Sequence, residues 1–231
     1  MRLIACALPL ALLASAPAAA QSGPSDWARY PAANEVQLRD LVAIVRITPQ
    51  ARGDVALAMI NPGPLPDPDL RIARNRLIVD GAQRRVRSCH GDGQEFTVNT
   101  QRNGRLRADQ LPIIEIRVPE AAVVSASGAV RMQLRPAQSA NVTLAGCGEA
   151  EIEAVAQEAD ITVAGAGALK LFQAGSARIA IAGSGDVQVG AVLAGLTASI
   201  AGAGDLAAAR GDGATNLAIQ GAGDVMIREG Q

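Results

Sequence analysis

From about residue 120 to the C-terminus, apolar and polar side chains alternate in short bursts, each broken by a pair of glycines. The bursts before the glycines carry Val142/Leu144, Ile161/Val163, Ile179/Ile181, Ala198/Ile200 and Leu217/Ile219. Those after them carry Val130/Met132, Ala150/Ile152, Leu169/Leu171, Val187/Val189, Leu206/Ala208 and Val225/Ile227. A period of two predicts strands with one buried face. The interruptions are Gly146/Gly148, Gly165/Gly167, Gly183/Gly185, Gly202/Gly204 and Gly221/Gly223, whose first members lie 19, 18, 19 and 19 residues apart. A degenerate earlier copy, Ala-Ser-Gly-Ala-Val at 126–130, precedes the first by 20.

One period running through five or six copies is the signature of a repeat architecture. A rung of this length cannot bury its apolar face alone. Stacked rungs about 4.8 Å apart would bury it as internal ladders, each enclosed Val, Leu or Ile contributing roughly 1.5–3 kcal/mol. The expectation is a parallel β-helix. Outward columns support it: Asn141, Asp160, Arg178, Thr197 and Asn216 fall in one polar column, and Arg131, Glu151 and Lys170 in another with alternating charge. The glycine pair is then a corner that needs positive φ or has no room for a Cβ. A phosphate-binding loop would need a helix after the glycines, and every copy here is followed by another strand pattern.

The repeated Gly-(Ser/Ala)-Gly-Asp corner, in an exported chain of strands, resembles the bacterial family of putative auto-transporter adhesin head GIN domains. The resemblance spans roughly residues 40–230 and is clearest over 120–230. It implies an all-β, right-handed, single-stranded parallel β-helix. It implies no general activity and supplies no catalytic residue. Three copies depart from the pattern, with Ala129, Glu149 and Ala168 where the Asp stands elsewhere.

Residues 21–120 are less regular. "DLVAIVRITP", "GDVALAMI", "DLRIARNRLIVDG", "EFTVNT" and "LPIIEIRVPE" read as short strands. "NPGPLPDPDL" at 61–70 is a Pro-rich loop, and "SCHGDGQ" (88–94) and "QRNG" (101–104) are loops too. "GDV" at 53–55 echoes the later corners and suggests that the coil begins there. Three parts are expected: a signal peptide (1–20), an irregular β portion or cap continuous with the coil (21–120), and the regular repeats (121–231). The apolar stretch 3–15 before "APAAA" predicts cleavage after Ala20, and Pro9 and its short length argue against a membrane span. The mature chain is expected in the periplasm or at the surface of a Gram-negative-type bacterium, without a transmembrane segment. Its last rung would leave an open strand edge, a surface for self-association.

Composition narrows the partners. Without Arg2 the chain has 20 basic and 22 acidic residues, which gives no argument for nucleic acid. Aromatics are Trp27, Tyr30, Phe96 and Phe172, few for stacking sugars or bases. The partner expected is an envelope protein or polysaccharide, with no cofactor. Once Cys6 leaves with the signal, Cys89 and Cys147 either form a disulfide worth about 3–4 kcal/mol in an oxidising compartment or remain two buried thiols.

Few residues carry candidate chemistry. Asp186, Asp205 and Asp224 should stack in one column, open to two readings: a Ca²⁺-binding line, or carboxylates that accept backbone N–H groups at each corner. Arg-Gly-Asp occurs at 52–54 and 210–212, and His90 adjoins Cys89. No catalytic residue is expected. The alternative, a carbohydrate-active β-helix enzyme, requires two carboxylates and a basic residue converging in a groove.

Overall fold

The computed structural model describes residues 26–91, 95–210 and 213–229. The expected signal segment and its cleavage site lie outside these. Among the described residues there is no α-helix, and the chain is almost entirely strand. It forms a β-solenoid of about six stacked turns with rungs of about 19 residues.

In chain order the first strands are β1 (Ala28–Tyr30), β2 (Glu35–Gln50), β3 (Val55–Asn61), β4 (Asp69–Ala73) and β5 (Arg76–Asp80). A small antiparallel sheet follows, made of β6 (Val86–His90), β7 (Thr97–Thr100) and β8 (Gly104–Arg107). Then come β9 (Ile113–Pro119) and the coil strands β10 (Ala121–Leu134), β11 (Ser139–Gly146), β12 (Glu149–Gly165), β13 (Ala168–Gly183) and β14 (Asp186–Gly202). The last turns are β15 (Leu206–Arg210), β16 (Ala214–Gly221) and β17 (Val225–Glu229).

The coil register is the one its periodicity implies. Gly146 pairs with Gly165, Gly165 with Gly183, Gly183 with Gly202 and Gly202 with Gly221, all in parallel. Ile179 and Ile181 lie beneath Ala198 and Ile200, and all four are at most 3% exposed. The outward column Asn141, Asp160, Arg178, Thr197, Asn216 is continuous.

The two glycines of a corner are required for different reasons. The first has positive φ, +142° at Gly165 and +143° at Gly183. A Cβ at Gly165 would also stand 2.5 Å from the Gly146 carbonyl oxygen of the rung below. The second members, Gly148, Gly167, Gly185, Gly204 and Gly223, stand in the break between strands, and none of them has positive φ. Of the two needs expected of the corner, positive φ or no room for a Cβ, these five show the second: what excludes a side chain there is space. A Cβ at Gly167 would stand 2.8 Å from both the Gly148 oxygen and the Leu144 side chain. At Gly185 it would stand 2.5 Å from the Gly167 oxygen and 2.6 Å from the Val163 side chain. At Gly204 it would run into the Gly185 oxygen and the Ile181 side chain, and at Gly223 into the Gly204 oxygen and the Ile200 side chain. Each second glycine thus sits on the apolar ladder of the rung below.

Because the corner cannot change, variation in rung length falls elsewhere. The register from β12 to β13 slips by one residue between Val155 and Glu158. From β13 to β14 it slips back between Ala174 and Ser176. The spacing of 18 among the 19s is absorbed at this return bend.

Two expectations about the early rungs are corrected. In the degenerate copy, Gly128 stands over the first glycine, pairing with Gly146, and Arg131 pairs with Glu149, not with Glu151. Val130, 1% exposed, fills the place of the second glycine. The side chains of Arg131 and Glu149 meet at 3.3 Å. The coil also starts before Gly53. β2 is itself a rung, parallel to β10 on one side and to β5 and β9 on the other. Its corner uses no glycine: Asp40 takes the positive φ of 45°, and its N–H donates to Ser127 Oγ at 3.1 Å. The chain therefore lays β10 on β2 and not on β9, which β10 follows in sequence.

The two ends differ. At the N-terminal end, β3 runs antiparallel to β9, β1 to β3 and β4 to β5. At the other end β16 pairs with β14 and β17 with β15, with no further strand among the described residues. Leu217 and Ile219 of the last rung are 46% and 47% exposed, although they continue the buried ladders.

Gly183→Ala combines a disfavoured φ with a backbone collision, and should lose about 2–4 kcal/mol in denaturant unfolding. Ser184→Ala, at the exposed middle position of the same corner, should stay within about 0.5 kcal/mol of the parent.

Candidate binding surface

The middle residue of each glycine corner points away from the core. Over β13 and β14 these positions, Ala166, Ser184 and Ala203, are exposed. The second glycines are no part of this surface: Gly148, Gly167, Gly185 and Gly204 are buried, and Gly223 is half-buried. In the first turns the middle positions are covered. Val42 and Ala129 are at most 1% exposed, and they pack with Phe96, Val98, Leu106, Ala108, Leu111 and Leu65 into a second, smaller core. The cover is the β6–β8 sheet, whose inward side chains alternate with outward Thr97, Asn99, Arg105 and Arg107.

Cys147 is the middle residue of the next corner, and its sulfur is bonded to Cys89 of β6, with the Cα atoms 5.8 Å apart. Of the two readings of these cysteines, the disulfide is the one observed. It ties the sheet to the coil at the rung where the apolar cover ends. The expected loop at 88–94 is corrected in part: Ser88, Cys89 and His90 belong to β6, held by pairing to Asn99, Val98 and Thr97.

The aspartates stack as the period requires. Asp205 N–H donates to Asp186 Oδ1 at 3.2 Å, and Asp224 N–H to Asp205 Oδ1 at 2.9 Å. Each of these two carboxylates joins one rung to the next. Among the described residues no group of three His, Cys, Asp or Glu side chains is placed to hold a metal ion. His90 is exposed on β6, and its carbonyl accepts from Thr97 Oγ1.

The first Arg-Gly-Asp is an internal ion-pair cluster. Asp54, 8% exposed, accepts from Arg52 Nε at 2.9 Å and from Arg29 Nε at 3.0 Å. Burial pushes its carboxyl up, but the hydrogen bonds from Arg29 and Arg52 outweigh that and hold it below the usual carboxylate range. Gly211 and Asp212 of the second copy lie outside the described residues.

Two surface features do not repeat from rung to rung. A shallow trough of about 430 Å³ on the coil side is lined by Gln133, Arg135, Glu151, Glu153 and Phe172. Its carboxylates are engaged: Arg135 Nη1 meets Glu153 Oε1 at 2.6 Å and Gln133 Nε2 donates to Glu151 at 3.4 Å. Lys170 Nζ sits 5.2 Å from the centre of the Phe172 ring.

The second feature is a cleft of about 470 Å³ where the 82–85 segment runs beside the turn at 101–102. Among the described residues it is lined by Ala82, Gln83, Arg84, Arg85, Gln101 and Arg102. Gln101 N–H donates to the Arg85 carbonyl at 3.1 Å, and Arg85 Nη1 donates to Gln101 Oε1 at 3.1 Å. The totals of the sequence conceal this surface. Residues 71–107 hold nine arginines against Asp80, Asp92 and Glu95, with Asp69 and Asp109 just outside, whereas residues 149–229 hold four basic and ten acidic residues. A running count of charge along the chain would have found the asymmetry.

A family model described as "Putative auto-transporter adhesin, head GIN domain" matches residues 91–228. No curated protein matches the chain in sequence. The crystal structure of a putative adhesin from Bacteroides fragilis is similar at 13% identity, covering 88% of this chain and 96% of that one, with a TM-score of 0.50. That of a putative adhesin from Parabacteroides distasonis is similar at 14% identity over 88% and 95% of the two chains, with a TM-score of 0.47.

Since the disulfide closes a 58-residue separation, Cys89→Ala/Cys147→Ala should lower stability by about 3–4 kcal/mol. In hydrogen exchange the loss of protection should concentrate in residues 86–107 and leave β12–β14 protected. Uniform loss along the rod would show that the bond does not act as a local clamp.

Proposed function

The chain belongs to the putative auto-transporter adhesin head GIN domain family, and on that footing we propose that it is an exported, non-catalytic binding module of the cell envelope. The observation that carries the reading is the contrast between the coil and the sheet clamped on it. The coil repeats one backbone solution rung after rung, and its outward columns are solvent-facing ladders. A structure of this kind holds a surface rigidly at a distance and needs no moving part. The Cys89–Cys147 disulfide fits an oxidising compartment, as does the apolar leader before "APAAA". The partner is an envelope protein or a polysaccharide.

The enzyme alternative rests on the trough at Glu151 and Glu153. Two residues apart on one strand, they leave the same face of the sheet, as a pair of carboxylates flanking a glycosidic bond would have to. Against it, Glu153 is ion-paired and both carboxylates stand on the outer face of a sheet. Neither is set in an enclosed, dry site.

Fractionation of cells carrying the protein tests the export reading. The mature chain should begin at Gln21, appear in the periplasmic or surface fraction and contain no free thiol. A full-length, reduced chain confined to the cytoplasm would contradict it.

A further inference from the structure

The cleft beside β6 has features that packing alone does not require. Arg84 and Arg102 project from its two walls, and Arg85 is held in place by Gln101. Arg84 reaches only to a 3.9 Å approach to Asp40. Arg102 has no ion-pair or hydrogen-bond partner among the described residues. Between them lies Gln83. Only 8% exposed, it is fixed by its backbone N–H to the Asp40 carbonyl at 2.8 Å. Its side-chain amide lines the cleft with no partner among the described residues. That amide is not sealed away from solvent, so it opens on the cleft as a donor and acceptor available to a ligand.

We propose that this cleft binds an acidic sugar unit of an envelope polysaccharide, with the arginines taking its carboxylate or phosphate and the glutamines its hydroxyls. Guanidinium forks match planar oxyanions two bonds at a time. An amide, donor and acceptor in one group, suits the hydroxyls of a sugar ring. The volume suits a small ligand. No aromatic side chain lines the cleft among the described residues, so a nucleobase would have no stacking platform. Nor does any large apolar side chain, so there is none to enter a lipid layer. The acidic rod beyond the clamp repels a polyanion along its length and leaves the arginine end as the place of attachment.

The proposal deepens the reading of the chain as an exported binding module, and it can be tested on the purified protein alone. Calorimetry on the mature, disulfide-bonded protein would compare a uronate trisaccharide, a sugar phosphate and a neutral trisaccharide of equal size. The uronate or the sugar phosphate should bind, the neutral sugar should not, and added salt should weaken binding. Whichever anion binds more tightly identifies the source of the acidic group.

Arg102→Gln, which removes no contact of the fold, should weaken binding roughly 10- to 100-fold with an unchanged thermal midpoint. Arg102→Lys, which keeps the charge and loses the fork, should still bind several-fold less tightly. Gln83→Met should weaken the trisaccharide more than inorganic phosphate. The proposal is overturned if neither anion binds, if Arg102→Gln binds as the parent does, or if an oligonucleotide of equal charge binds as tightly. An exported protein that ignores both acidic sugars refutes the cleft and leaves the module reading standing. A cytoplasmic protein whose cleft binds them does the reverse.

Discussion

Parallel rungs can approach to hydrogen-bonding distance through a sharp corner only where no Cβ stands between one rung's corner and the carbonyl below it. That steric condition organises the molecule. It makes each first glycine adopt a φ that L side chains avoid, and it makes each second glycine bare for lack of room. With the corners superposed, everything between them falls into register. The Ile and Val ladders are buried, the Asp carboxylates reach the next rung's N–H groups, and the one-residue variations in length move to the return bend. The aspartates assist the corners but do not create them, since Glu149 and Ala168 occupy the same place in rungs that form equally well.

A ladder is legible in sequence because it repeats its chemistry, and that accounts for both what could be read and what could not. The columns from Asn141 to Asn216 and the stacking of Ile181 under Ile200 follow from the spacing alone. The glycine pairs follow from it too, but not the division between their members: only stacked coordinates separate Gly183, bare for its φ, from Gly185, bare because Val163 and the Gly167 carbonyl fill the space. The first rung could not be found from spacing. Asp40 replaces a glycine in the left-handed region, Leu41 stands where Gly128 does, and nothing in "DLVAIVRITP" echoes the later corners. The order in which β2, β5 and β9 stack is a tertiary choice, made by burying Leu38, Val45 and Ile47 between neighbours on both sides. The two-residue shift at Arg131 has a local cause: the single glycine of "ASGAV" answers to the first member of a pair, and buried Val130 holds the other place.

The surface at Arg84, Arg85 and Arg102 was hidden for a different reason. Net charge is a sum, and an acidic rod cancels a basic cap. The same separation gives the molecule its division of labour. Regular rungs present ladders whose side chains largely satisfy one another, as Arg178 does with Glu158. Where an irregular segment is fastened on, the repeat no longer dictates the surface, and side chains are free to face a ligand. The disulfide at Cys147 marks that junction, using a corner position that is covered in the turns before it and exposed in the turns after it.

All of this depends on Ala180 lying directly beneath Ser199 and not beneath Ala201. Cysteines placed in pairs on the outward face test it without disturbing the core. Ala180→Cys with Ser199→Cys puts two thiols on neighbouring rungs about 4.8 Å apart, within disulfide range, whereas Ala180→Cys with Ala201→Cys leaves them about 8 Å apart, beyond it. Under mild oxidation, peptide mapping should find the 180–199 cross-link and not the 180–201 one. The opposite pattern, or equal cross-linking of both pairs, would contradict the stacked-rung account.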